Sequence, residues 1–204
     1  MVEIQELKSM SPDCIQTLAE LHKKAFPGFF LTQLGIPLLR ALYKEYMENQ
    51  NSGIIVAVEE SRILGFIAYS KDYSEFYKSL IKHHMMKFAF CSIGAVVRHP
   101  SLIKHLLSVF SKSESVAKTE AYVELASICV DPENANRGIG TQLIDYLKGF
   151  VDFSRFSYIN LETDAVENVA ANKFYLKNGF ILAREYTTSE GRRMNEYRFT
   201  PGEK

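Results

Sequence analysis

The sequence predicts a domain of the α+β or α/β class built on a mixed central sheet. Three observations lead there. Seven segments with strand character alternate with helical ones along the chain. The second half reads β-α-β-α-β, whereas the first half opens strand-helix-helix and then gives a hairpin. The 204 residues, 47% of them apolar, suffice for one generous core, so residues 1–204 read as a single domain.

Each element has a local reason. Residues 2–8 alternate weakly and suit a first strand. In "SPDCIQTLAELHKKAF", Ser11 is the expected N-cap and Pro12 the first helical residue. Ile15, Leu18, Ala19, Leu21 and His22 then make one stripe. "IPLLRALYKEYMEN" gives a second helix. "SGIIVAVEE" and "RILGFIAYSK" form a hairpin turning at Glu60–Ser61. Residues 72–118 break the rhythm and read as an insertion of two or three helices between the third and fourth strands. The clearest are "SEFYKSLIKHHMMKFAF" and "HPSLIKHLLSVFSK". "EAYVELASICV" returns to strand, and a helix is expected from about Thr141 to Phe153. "SYINLETDAV" is a strand, and "NVAANKFYLKNG" is a helix closed by Gly179. The chain ends in a hairpin turning at Ser189–Gly191.

Composition excludes several classes. Lys plus Arg equals Asp plus Glu, 24 each, which argues against a dedicated nucleic-acid binder. Cys14, Cys91 and Cys129 are few, odd in number and set in apolar surroundings, as expected of reduced packing thiols in a cytoplasmic protein. The opening "MVEIQELKSM" has no apolar core of the signal-peptide kind. The longest mostly apolar run, 85–97, is shorter than the roughly 20 residues of a membrane span.

Chemistry first shows in "NRGIGT". A glycine turn between a strand and a helix N-terminus leaves first-turn N–H groups unpaired at the positive end of the helix dipole. Arg137 adds charge, so the loop suits a pyrophosphate. It is neither a Walker loop, for no lysine precedes Thr141, nor a dinucleotide fingerprint, for Leu143 stands where a third glycine belongs. Thirty residues on, Asn168 and Tyr175 lie seven apart and share a helical face, which places the Tyr175 phenol as a proton donor.

The segments "VDPENANRGIGTQLIDYL" and "NVAANKFYLKNGF", in that order with one strand between, resemble the GCN5-related N-acetyltransferase (GNAT) superfamily. The resemblance is close over about residues 120–181 and looser over the remaining chain. It implies a twisted, mostly antiparallel sheet of about seven strands flanked by helices. It also implies acetyl-CoA as donor and direct attack by a primary amine in a ternary complex. His83 and His84 are adjacent and point apart on a helix, and the sequence has no HExxH-type spacing, so no metal is expected. On the family pattern Arg137, Gly138, Ile139, Gly140 and Thr141 bind the pyrophosphate. Ile128, Cys129 and Val130 lend backbone groups to the pantetheine arm. Asn168 meets the cofactor edge, and Tyr175 protonates the departing thiolate. One position departs: the usual Gln or Arg three residues before the first glycine is Ala135, which throws weight onto Arg137.

The attacking amine must be neutral, so a carboxylate base is wanted. Glu124, in the strand leading to the glycine loop, resembles the glutamate base of the histone-acetylating branch. Glu162 and Asp164 on the next strand are the reserves, and many family members use water alone. Residues 72–118 hold seven Lys/Arg against three Asp/Glu, with His83, His84, His99 and His105. Such a basic cap suits a phosphate-bearing acceptor such as an amino sugar or its nucleotide, although a solvated helical face explains the charges more simply. Apolar insertion helices and the last hairpin offer surfaces for a homodimer. A non-catalytic acyl-CoA-binding regulatory domain is the main rival, and a protein docking on membrane surfaces through 76–110 is another.

Overall fold

The computed structural model describes residues 1–9, 11–83, 120–166, 168–189 and 191–202. Its strands are β1 (Glu3–Glu6), β2 (Ser52–Glu59), β3 (Arg62–Ser70), β4 (Tyr122–Val130), β5 (Tyr158–Asp164), β6 (Ile181–Thr187) and β7 (Arg193–Phe199). The helices are α1 (Pro12–Ala25), the short α2 (Phe30–Gln33), α3 (Ile36–Glu48), α4 (residues 73–83), α5 (Ile139–Phe150) and α6 (Val169–Lys177). The rest of the first expected insertion helix, with His84, and the second, with His99 and His105, lie outside the described residues, as does Cys91.

One seven-stranded sheet runs in the order β1-β2-β3-β4-β5-β7-β6. Every neighbouring pair is antiparallel except β4–β5, which is parallel. That single exception decides where a site can form. β4 and β5 pair only from Tyr122↔Tyr158 to Glu124↔Asn160. Beyond Glu124, β4 follows β3 to Val130, whereas β5 follows β7 to Asp164. A bulge helps part them: Ala68 faces Ser127 and Tyr69 faces Leu125, leaving Ala126 as the extra residue. An extra residue bends its strand and raises the local twist.

The strands in mid-sheet are apolar on both faces because both faces are covered. On one, α1, α3 and α4 pack Leu18, Leu39, Tyr43 and Phe76 on Ile54, Val56, Phe66 and Cys129. On the other, α5 packs Leu143, Ile144 and Leu147 on Ile55, Ile67, Val123 and Ile159, joined by Tyr175 and Phe180. At the sheet's far end β6 is an edge strand, exposed at six of its seven positions.

Local signals hold where they were strongest. Ser11 Oγ accepts from the Cys14 N–H at 3.1 Å, with Pro12 in the first turn. Glu60 and Ser61 both take left-handed backbone (φ 49° and 66°), as a two-residue hairpin of this twist demands. Helix α5 differs from expectation. It begins two residues earlier, at Ile139, and stops at Phe150, where Val151 turns extended. A glycine in the first turn does not delay a helix whose N-cap, Gly138, is already in place. Among the described residues no helix is long and apolar enough to cross a membrane.

Candidate active site

The splay between β4 and β5 opens into a cleft of about 700 Å³, within the usual range for small-molecule sites. Its walls come from both sides of the sheet. Phe26, Tyr43 and Tyr77 belong to the α1/α3 face, and Ile139, Phe174 and Tyr175 to the α5 face. The cleft therefore passes through the sheet at the splay. A donor entering from the α5 side can present its reactive end to an acceptor on the other.

The glycine loop borders the α5 mouth. Asn136 (φ 63°) and Gly138 (φ 76°) are both left-handed. Gly138 caps α5, and Gln142 N–H already bonds its carbonyl at 3.0 Å. The N–H groups of Ile139, Gly140 and Thr141 precede the first intrahelical donor, and these residues line the cleft, where the dipole's positive end suits an anion. The two glycines have different reasons. A side chain on Gly138 would meet only Gln142 Nε2 at 3.9 Å, so its left-handed backbone is what calls for glycine. A Cβ on Gly140 would lie 3.1 Å from Phe174 Cζ, so this glycine lets α6 approach α5. The Arg137 guanidinium turns away from the cleft, forking onto Glu59 at 2.8 and 3.0 Å and reaching Asn134 Oδ1 at 2.6 Å.

Ile128, Cys129 and Val130 line the cleft just past the bulge. Cys129 is buried, and desolvation raises its thiol pKa well above the ordinary value, which suits packing and not chemistry. Asn168 lines the opposite wall. It is the N-cap residue of α6, not part of the helix, and its Nδ2 donates to Thr163 Oγ1 at 2.9 Å. Asn172 locks that end of α6. Its Nδ2 donates to the carbonyls of Asp164 and Asn168, both at 2.8 Å, and its Oδ1 accepts from Asn195 (2.7 Å) and Tyr197 (2.8 Å).

Tyr175 is buried on the cleft wall against Phe174, Phe180 and Tyr197. Desolvation raises its pKa far above that of a free phenol. Two carboxylates sit on the α1/α3 side. Glu124 is 6% exposed and accepts from Asn160 Nδ2 at 2.7 Å. Glu162 is exposed, lines the cleft and accepts from Tyr186 Oη at 2.7 Å. Among the described residues no three His, Cys, Asp or Glu group as metal ligands.

A family model described as the acetyltransferase (GNAT) family matches residues 15–180. The chain belongs to the GNAT acetyltransferase family. It is thus an acyltransferase, and solved structures agree in fold. One is a GNAT-family acetyltransferase, so described, from Desulfovibrio desulfuricans, with TM-score 0.65 at 14% identity over 98% of this chain and 99% of that one. Another is the ribosomal-protein-S18-alanine N-acetyltransferase of Escherichia coli, with TM-score 0.56 at 13% identity over 100% and 96%. A protein described as a streptothricin acetyltransferase, from Bacillus anthracis and solved in complex with acetyl-CoA, gives TM-score 0.50 at 21% identity over 78% and 67%. No curated protein sequence matches the chain.

In this GNAT domain ten of the residues singled out by sequence come together on one cleft: Ile128, Cys129, Val130, Gly138, Ile139, Gly140, Thr141, Glu162, Asn168 and Tyr175. The side chains of Arg137 and Glu124 are not on its surface. Sequence reasoning missed the wall of Phe26, Phe29, Leu42, Tyr43, Tyr73 and Tyr77 on the α1/α3 side. Only His22 left a trace there, as a polar residue inside the apolar stripe of α1.

Proposed function

We propose that this GNAT domain transfers the acetyl group of acetyl-CoA directly to a primary amine, in a ternary complex. The observation carrying this reading is the cleft itself, with an anion cradle at one mouth, a buried phenol on its wall and a carboxylate at the other side. The fit to the donor is favourable. The amides of Ile139, Gly140 and Thr141 hold the pyrophosphate, and no side chain on Gly138 crowds the approach. Ile128, Cys129 and Val130 lend backbone groups at the splayed edge of β4, while Asn168 lies against the pantetheine. Arg137 acts through its backbone and steadies the loop through Glu59. Bound here, acetyl-CoA supplies the activated acyl group, and the residues around it do the remaining chemistry.

Tyr175 donates a hydrogen bond to the departing sulfur. Its raised pKa keeps it protonated throughout the working pH range, so the donor is always available. Glu162 takes the ammonium proton, since it borders the cleft directly. Glu124, held behind it by Asn160, adds negative field that favours a cation at the site. The free thiols Cys14 and Cys129 fit a reducing compartment, and we assign the reaction to the cytoplasm.

The test is CoA release, followed with a thiol reagent, for wild type and Tyr175→Phe across a panel of amines. Wild type should release CoA with at least one amine, and Tyr175→Phe should be slower by roughly 10²–10³, the cost of removing one aligned donor to a developing anion. The variant's acetyl-CoA affinity should change little. Acetyl-CoA binding without release by any amine would sink the catalytic reading in favour of a binding module.

A further inference from the structure

The acceptor side of the cleft has a definite chemistry. Phe26, Phe29, Leu31 and Leu42 form an apolar wall between α1, α2 and α3. Tyr73 and Tyr77 of α4 line the cleft too, separated from Phe26 by the ring chain His22, Tyr43, Tyr46 and Phe76. The Tyr73 and Tyr77 rings pack edge to face at 5.1 Å, and both feel the charges of Glu124 and Glu162. So one end of the compartment holds two phenol rings near two carboxylates, and the other holds rings and branched aliphatics.

These ends want different things. Ring faces and carboxylates attract a cation, and the attraction strengthens as water leaves. A wall of Phe and Leu offers a sugar hydroxyl or phosphate no partner, and burying such groups unpaired is costly. An apolar body gains from the same wall in proportion to the area removed from water.

We propose that the acceptor is an amine carried on an apolar, ring-sized body, with its ammonium between Glu162 and the Tyr73–Tyr77 pair and its body against Phe26, Phe29, Leu31 and Leu42. The inference rests on the acetyl-transfer reading above and names the class of its acceptor. It places phosphorylated amino sugars and polyamines outside that class. A polyamine would lay a second ammonium against the apolar wall.

The experiment measures kcat/KM for CoA release with propylamine, butylamine, hexylamine, phenethylamine, spermidine and glucosamine 6-phosphate. Each added methylene buried on the wall should raise kcat/KM by up to about four-fold. Phenethylamine should match or exceed hexylamine, and the two hydrophilic amines should trail. The double variant Phe29→Ser, Leu31→Ser should flatten the methylene increment. Tyr77→Leu should lower kcat/KM for every amine by a common factor and leave the increment intact. A structural lesion alone would not separate the two effects in this way.

Preference for spermidine or glucosamine 6-phosphate would leave acetyl transfer standing and overturn this inference. So would a flat amine series, and a flat series paired with faster turnover of butyryl-CoA would assign the wall to the acyl chain. Failure of all six amines while acetyl-CoA still binds would remove the proposed acceptor class outright. Release with some other amine of the wider panel would then keep the transferase reading alive on its own.

Discussion

Glu124 and Glu162 are two carboxylates on one face of neighbouring strands, yet the fold treats them differently. Asn160, opposite Glu124 in register, donates to it and helps bury it. Glu162, two residues further along β5, comes after the strands have parted and so meets the cleft. Position relative to the splay, not residue type, sets which of the two borders the cleft, and on the proposed mechanism that makes Glu162 the base. Glu162→Gln should therefore lose rate most at low pH, where the acceptor is ammonium. The defect should shrink as pH rises toward an amine pKa near 10, because neutral amine then forms without help. Glu124→Gln should cost less, with a loss that varies little with pH. Rate measurements from pH 6 to 9.5 distinguish the two, and the reverse order would make Glu124 the base. The sequence marked both acids, but it could not say where the pairing of their strands ends.

At the scale of elements, the same stretch of glycines serves two ends. Gly138 lets the backbone turn left-handed and start α5, and a β-branched residue there works against both. Gly140 sits where α5 meets Phe174 of α6. Acetyl-CoA at a hundred times its dissociation constant should stabilise wild type by about 2.7 kcal/mol. Gly138→Val should abolish that thermal shift. Gly140→Ala should keep the shift but lower stability by about 1 kcal/mol, as overpacking does, and Phe174→Leu alongside it should recover part of the loss. An intact melting temperature with no ligand shift in Gly140→Ala would instead make this glycine a ligand contact. What the sequence revealed at this scale is what local chemistry controls. The Ser11 cap, the Glu60–Ser61 turn, the Gly179 stop and the glycine loop are each set by a few adjacent residues. The bulge at Ala126 and the opening beyond Glu124 are not, because they depend on which strands pair and where pairing fails. The wall on the α1/α3 side is further still from local reading. Phe29 in the loop before α2, Leu42 on α3, Tyr73 on α4 and Glu162 on β5 meet only through the topology.

For the molecule as a whole, His22 should make stability depend on pH. Its ring is 3% exposed, and its Nδ1 is hydrogen-bonded with Tyr43 Oη at 2.5 Å. Its Nε2 has no partner among the described residues. Burial lowers its pKa from 6.5 to about 4, since the imidazolium would be charged in a dry site. Between those values the unfolded chain binds a proton that the folded chain refuses. Stability must then rise with pH across this window, reach its full value above pH 6.5, and fall as pH drops toward 4. The size is set by the shift: about 3 kcal/mol over the whole window and about 2 kcal/mol already lost at pH 5. For a domain of this length that corresponds to roughly 4–8 °C in melting temperature. His22→Leu removes the titrating group while leaving the remaining histidines and carboxylates in place. Melting curves at pH 5.0 and 7.0 should show a smaller drop in the variant than in wild type, whatever its absolute stability. An equal drop in the two proteins would mean that His22 takes up its proton in the folded state as readily as in water. The pocket around Tyr43 would then admit a charge that its burial argues against.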